Sequence, residues 1–336
     1  MIETTCSAGG KERRNIVKDG YGRTIDYLRI SITDRCNLRC VYCMPEQGVP
    51  LLPHDALLTY EEIETICRAM ARIGLRHVRI TGGEPLVRRQ CWRLVAALRA
   101  IPGIQTVTLT TNGILLEDCA PQLVSAGLDG VNISLDTLDA AAYRAVTRCG
   151  EVGRVLAGLK AMQNYPHVTV KVNCVLGGAQ WERTAVDIAG LARQYPVHVR
   201  FIERMPLADG GAPGCAQDDV LAALARAYGA AQPCARPMGF GPSTYVQFAG
   251  FLGKIGFISA VSHKFCADCN RVRLTADGRL RLCLQSGDTV NLRELVRGGR
   301  EAELISTVQE ALRHKPQSHC FDRRGIEGAC MAQIGG

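Results

Sequence analysis

Aromatic residues make up only 5% of this 336-residue chain, and no stretch interleaves them with a basic patch. That argues against a surface for single-stranded nucleic acid, where bases stack on aromatic rings along a cationic groove. No apolar run approaches the length that crosses a bilayer, and Met1 to Lys18 is polar and charged where a secretory leader would be apolar. The expectation is a cytoplasmic protein with no membrane partner. Neither a GxxxxGK(S/T) phosphate loop nor a GxGxxG fingerprint is present, so a bound nucleotide would be held by side chains. Internal repeats and low-complexity segments are also missing.

Cysteine, in contrast, is abundant, with 16 residues. In a chain without a secretion signal this speaks against a disulfide framework. Ten of them, Cys6, Cys67, Cys91, Cys119, Cys149, Cys174, Cys215, Cys234, Cys320 and Cys330, are scattered and read as small hydrophobes. Cys36, Cys40 and Cys43 form a CxxxCxxC run on a tight loop. Three thiolates at this spacing can hold three irons of a cubane and leave the fourth open to a small chelating molecule such as S-adenosylmethionine. Structural zinc is the alternative, but it normally takes four ligands, and no further Cys or His lies within ten residues on the carboxyl side of Cys43.

Cys266 and Cys269, followed by Cys283, form a second triplet. The Asp277-Gly278 turn between them can bring Cys283 back beside Cys269. A zinc site completed by His263 stays open at this point. A two-residue Asp-Gly loop would pair Cys283 with Val272 and send it to the opposite face, whereas a three-residue bulged turn pairs Thr275 with Arg279 and Arg271 with Cys283, so that Arg271, Arg273 and the third sulfur share a face; the bulged turn is expected. Arg79 and Lys171 stand within otherwise apolar strands, where an unpaired charge is costly, so both are expected to meet an anion. The net charge of +8 also favours an anionic partner.

Short β-branched runs alternate with amphipathic helices from Asp26 to about Glu203, the pattern of parallel strands with crossover helices. Six such units are too few to close an eight-stranded barrel. An α/β fold with a partial, six-unit TIM-type barrel is therefore expected, followed by a small C-terminal α+β domain of short hairpin strands. The boundaries are 1–23 for an N-terminal segment, 24–235 for the barrel and 236–336 for the C-terminal domain with its Gly-Gly tail. Thr59 and Glu62 predict a capping box at the start of the first helix, with Gly74 as its stop.

The motifs LRISITDRCNLRCVYCMP, RITGGEPLVR, LTTNG, NISLD, VKVN, RFIERM, FCADCNRVRL and the closing IGG, in this order, resemble the GTP 3',8-cyclase (molybdenum cofactor biosynthesis protein A) family of the radical S-adenosylmethionine superfamily. The resemblance implies a lyase that converts GTP to (8S)-3',8-cyclo-7,8-dihydroguanosine 5'-triphosphate by hydrogen abstraction at C3', the first step of molybdenum cofactor biosynthesis. It implies two 4Fe–4S clusters and S-adenosyl-L-methionine as cofactors. Cys36, Cys40 and Cys43 match the ligands of the first cluster, and Cys266, Cys269 and Cys283 those of an auxiliary cluster in the C-terminal domain. Tyr42, Gly83, Ser134 and Met205 match positions that hold S-adenosylmethionine. Arg29, Arg79, Thr110, Lys171, Arg271 and Arg273 match positions that bind GTP, with Arg29, Arg271 and Arg273 as catalytic residues. The implied partners are GTP, an electron donor, the next enzyme of the pathway (cyclic pyranopterin monophosphate synthase) and a second copy of the chain, with no nucleic acid. His77 departs from the pattern, standing where the family often has Lys. Another radical enzyme with an auxiliary cluster, acting on a peptide or a different small molecule, is the nearest rival, and a non-catalytic nucleic-acid-binding metalloprotein the rival from another class.

Overall fold

The computed structural model describes residues 17–205, 214–235, 239–321 and 331–335. Cys6, Cys330, Gly336, most of the N-terminal segment and most of the Pro/Gly loop beginning at Pro206 lie outside the described residues.

The six expected strands form: β1 (Tyr27–Ser31), β2 (His77–Thr81), β3 (Thr106–Thr111), β4 (Gly130–Ser134), β5 (Thr169–Val175) and β6 (His198–Ile202). Successive strands pair in parallel. The helices between them include α1 (Tyr60–Arg72), α2 (Cys91–Arg99), α3 (Leu116–Ser125), α4 (Ala140–Thr147), α5 (Val152–Ala161) and α6 (Trp181–Gln194). The hydroxyl of Thr59 accepts from the Glu62 amide while the Glu62 carboxylate accepts from the Thr59 amide, so the expected capping box is present. Such a cap contributes about 1 kcal/mol. Ile63, Ile66, Met70 and Ile73 are buried at helical spacing against the sheet.

Beyond β6 the chain forms α7 (Gln217–Tyr228), β7 (Gln232–Pro233), β8 (Thr244–Gln247), β9 (Ile255–Ile258), β10 (Arg271–Leu274), β11 (Arg279–Arg281), β12 (Thr289–Asn291), α8 (Arg293–Arg297), α9 (Glu301–Arg313) and α10 (Met331–Ile334). The sequence leads one to expect only hairpins here. In the structure β9 adds to β6, and β10 adds to β1, both in parallel. The sheet order is β12-β11-β10-β1-β2-β3-β4-β5-β6-β9-β8-β7. Eight parallel strands thus run side by side, with antiparallel strands only at the two edges.

Side chains alternate between the faces of a strand. Leu28, Ile30, Val78, Ile80, Val107, Leu109, Val172 and Val199 are buried in the hydrophobic core between sheet and helices. The intervening positions, including Arg29, Arg79, Thr108, Asn132, Lys171 and Arg200, line a single cavity. Because residues from all eight parallel strands line it, the sheet is curved around that cavity.

Candidate active site

The cavity measures about 640 Å³, within the range of small-molecule sites. Its wall contains Cys36, Cys40 and Cys43, Cys266, Cys269 and Cys283, all four positions matched to S-adenosylmethionine and all six matched to GTP. The first triplet follows the C-terminal end of β1. Cys266 and Cys269 precede the N-terminal end of β10, which runs parallel beside β1. The triplets therefore lie towards opposite ends of the strands, a separation on the order of 15 Å from strand rise alone.

The first cysteine loop is tied down on two sides. The amides of Arg39 and Val41 donate to the carbonyls of Thr147 and Val146 at the end of α4, and those of Cys43 and Met44 donate to the Cys40 carbonyl. On the other side Gly83 and Glu84 donate to the carbonyls of Thr33 and Arg35 at 2.7 and 2.8 Å. A side chain at Gly83 would meet the Arg35 carbonyl at 2.4 Å, so only glycine lets these two loops approach so closely. The buried Glu84 carboxylate accepts from the Thr111 hydroxyl, the Asn112 amide and the Leu86 amide, and burial pushes its pKa up to about 7. The Tyr42 hydroxyl donates to Asp136 at 2.7 Å, and the same carboxylate accepts from the Val175 amide.

Burial raises the Cys36 thiol and pushes Cys40 up to about 12, so these sulfurs keep their protons until a metal displaces them. Among the described residues no three His, Cys, Asp or Glu side chains converge on a single metal ion. A cubane, which offers each sulfur a separate iron, fits the donor set. His263 is exposed, with its Nδ1 beside the Ser262 hydroxyl, and is not part of the cavity wall.

Between the triplets the wall is cationic. Arg29 sits beside Arg273 on one side and Arg79 on the other, in register. Arg79 donates from Nε to the Thr108 hydroxyl at 3.2 Å, and its guanidinium stands over the Tyr27 ring. Burial lowers Arg273 to about 10, with Arg271 adding to the shift. Burial lowers Lys171 to about 7, with Arg200 and Arg79 contributing. The acids of the wall are already engaged. Glu84 and Asp136 are bonded as above, Glu203 accepts from the amides of Val261 and Ser262, and Asp129 accepts from the Val107 amide and pairs with Arg99.

Sequence reasoning missed Arg200. It is buried and donates to Asn173 at 2.6 Å and Asn132 at 2.7 Å, joining three inner strand positions. The alternation in His198-Val199-Arg200-Phe201 carried that signal, since Val199 and Phe201 are the core positions. His77 also points inward, but Phe240 stacks on its ring at 3.4 Å between centroids and separates it from the cavity. Its Nδ1 lies 2.9 Å from the Thr106 hydroxyl, and burial lowers its pKa, so it is a neutral hydrogen-bonding group.

At the second triplet the bulged turn is present. The Thr275 amide donates to the Arg279 carbonyl, Gly278 has φ +83°, and Arg273 pairs with Arg281. Continued two residues, this register sets Arg271 opposite Cys283. Gly335 lies against Thr81 and Ser31 at the mouth of β1 and β2.

Residues 30–192 match the Radical SAM superfamily, and residues 197–321 match Molybdenum Cofactor Synthesis C. A GTP 3',8-cyclase of Heliobacterium modesticaldum is 45% identical over 95% of this chain and 99% of its own length. The chain belongs to the GTP 3',8-cyclase family. A second cyclase of this family, from Pelotomaculum thermopropionicum, is 42% identical over 95% of this chain and all of its own. Streptococcus suis SuiB bound to S-adenosylmethionine superposes with a TM-score of 0.62 at 13% identity, covering 97% of this chain and 78% of SuiB. At that identity the likeness is one of fold, the radical SAM fold. It also accounts for the partial-barrel architecture expected of the cyclase family.

Proposed function

We propose that this protein converts GTP to (8S)-3',8-cyclo-7,8-dihydroguanosine 5'-triphosphate, with the cofactor end of the reaction at Cys36, Cys40 and Cys43 and the substrate between the two triplets. The observation that carries this reading is the cationic row Arg273, Arg29 and Arg79, with Lys171 and Arg200, inside one cavity bounded by both cysteine sets. A triphosphate supplies the negative charge that this row lacks. Loaded with a 4Fe–4S cluster and S-adenosylmethionine, the first end supplies one-electron chemistry that takes the C3' hydrogen of GTP and lets C3' bond to C8.

The chain's own residues bind and orient. Gly83 and Ser134 line the cofactor end, Tyr42 is fixed there by Asp136, and Met205 closes it. Arg79, Lys171 and Thr110 face the substrate, while Arg29, Arg271 and Arg273 reach the part nearest the second triplet. In this reading Cys266, Cys269 and Cys283 would hold a second cluster, which would offer a binding position to the guanine end of the substrate. Holding C3' and C8 of one molecule in place is where the protein lowers the barrier, since ring closure must precede quenching. In the same reading residues 24–235 carry the cofactor and 236–336 the second site, in the cytoplasm, with an external electron donor, hand-over to cyclic pyranopterin monophosphate synthase and a homodimeric state. Among the described residues no helix is long and apolar enough to cross a membrane.

Anaerobic incubation of the iron-loaded, reduced protein with S-adenosylmethionine and GTP tests the assignment. Deoxyadenosine and a cyclised nucleotide in equal amounts are expected. Deoxyadenosine formed at the same rate without nucleotide, and no altered GTP, would overturn it.

A further inference from the structure

Lys315 follows α9 in a stretch that carries no motif. It is only 2% exposed and lines the cavity beside the second triplet. Its ammonium donates to the Arg271 carbonyl at 2.9 Å and to the Leu282 carbonyl at 2.5 Å. Among the described residues no carboxylate pairs with it. Burial lowers its pKa, the sulfurs of Cys269 and Cys283 work to keep its charge, and Arg23 and Arg273 oppose it. An ammonium buried this way is costly unless an anion faces it.

Its position in the hairpin is equally specific. The β10–β11 pairing runs through Arg273 and Arg281 and then stops. Arg271 and Leu282 are the residues on either side of the open end, and each is next to the part of the chain that carries a cysteine of the triplet. Lys315 spans that opening where the N–H to C=O ladder has ended. Arg23 extends the frame, donating to the carbonyls of Cys266, Pro316 and Gln317 at 2.7, 2.6 and 2.7 Å.

We propose that Lys315 is the positioning residue of the second cysteine site: it ties together the strand ends that present Cys269 and Cys283, and it supplies the buried positive charge that balances the metal-bound thiolates. The proposal rests on the reading of this triplet as cluster ligands. It assigns Lys315 no contact with GTP and no part in the chemistry at the first site.

The test uses the full chain carrying C36A, C40A and C43A, so that only the second triplet can take up iron and sulfide. In this parent, K315M and K315R are compared by iron and sulfide content, electron paramagnetic resonance and reductive titration. K315M is expected to give a cluster with a more negative midpoint potential than the parent, because a nearby buried cation that favours the added electron is gone. K315R should return the potential towards the parent value. Loss of the cluster in a K315M protein that still unfolds cooperatively, with recovery in K315R, supports the tie between the strands. A K315M protein with the parent's potential and spectrum overturns the proposal. A parent that takes up no cluster removes the second-cluster reading, and the proposal with it, which a silent K315M alone would not do.

Discussion

Arg29 and Arg273 stand side by side in the parallel register of β1 and β10, on the face of the sheet that looks into the cavity. Arg79 continues the row on β2. Enclosure inside the sheet and then the charge of Arg273 and Arg79 hold the Arg29 guanidinium well below its ordinary pKa. Nε of Arg273 is buried without a hydrogen-bond partner. Adjacent like charges destabilise a sheet, and an anion bound across this row would relieve that repulsion.

Replacing Arg273 with Met should therefore act in opposite directions on stability and on binding. Without nucleotide the variant should melt higher than the parent, since one member of a repelling row is gone. Its stabilisation by GTP should shrink, because a charge-assisted contact is worth about 1.5–3 kcal/mol, or roughly tenfold to a hundredfold in affinity. Thermal unfolding with and without GTP reads both effects. A lower melting point together with an unchanged response to GTP would contradict the argument.

Lys171 gives the binding reaction a pH dependence. Burial, then Arg200 and Arg79, bring its pKa down to about 7 in the free protein, and a bound polyanion raises it again. Below pH 7 the ammonium is charged before and after binding, so affinity is at its maximum. As the pH rises through 7, binding must take up a proton, and affinity falls by up to tenfold per unit. Folding has the opposite sign: the penalty of a buried charged Lys171 is fully present below about 7 and disappears as the pH rises towards the unfolded value of 10.5, so stability rises with pH where affinity falls. Calorimetry at pH 8 in buffers of different ionisation enthalpy should show proton uptake on GTP binding in the parent and little in K171M.

Cys36→Ala, Cys40→Ala and Cys43→Ala should each abolish cleavage of S-adenosylmethionine, because in the proposed reading each removes a thiolate ligand of the cluster that cleaves it. Cys91→Ala and Cys119→Ala should leave it largely intact. Cys91 is buried on α2 and Cys119 is partly buried on α3, both outside the cavity wall. Loss of about 1 kcal/mol of stability is the expected effect at Cys91. Normal deoxyadenosine production by the Cys40→Ala protein would refute the assignment.

Gly278→Ala tests the turn that sets the register. The position has φ +83°, and an added Cβ would meet Arg293 Cβ at 2.6 Å, so strain of about 1–3 kcal/mol is expected. Because the turn determines that Arg271 and Cys283 share a face, the variant should also lose iron selectively from the second triplet. Iron content and melting temperature check the two effects together. A destabilised variant with full iron at both sites would separate the turn from the site.

The six β/α units, the capping box of α1, both cysteine triplets and the inward basic residues Arg79 and Lys171 were legible in the chain alone. These are local signals: strand alternation, cap chemistry and short-range spacing of sulfur ligands survive without knowledge of partners. At Asp277-Gly278 the sequence allowed two hairpin registers, and the structure selects the bulged turn that sets Arg271 on the face of Cys283. The remaining features depend on long-range pairing. That β10 lies beside β1 and β9 beside β6 follows from the parallel pairing of segments more than fifty residues apart in the chain, for which no local pattern exists. The same pairing sets Arg273 next to Arg29, draws the two triplets to opposite ends of one cavity and closes Phe240 over His77. Arg200 and Lys315 show the remaining gap, since a lone basic residue reads as surface until the fold surrounds it. Burial and counter-charge are properties of the assembled sheet, and they turn these two residues from solvated side chains into parts of the site.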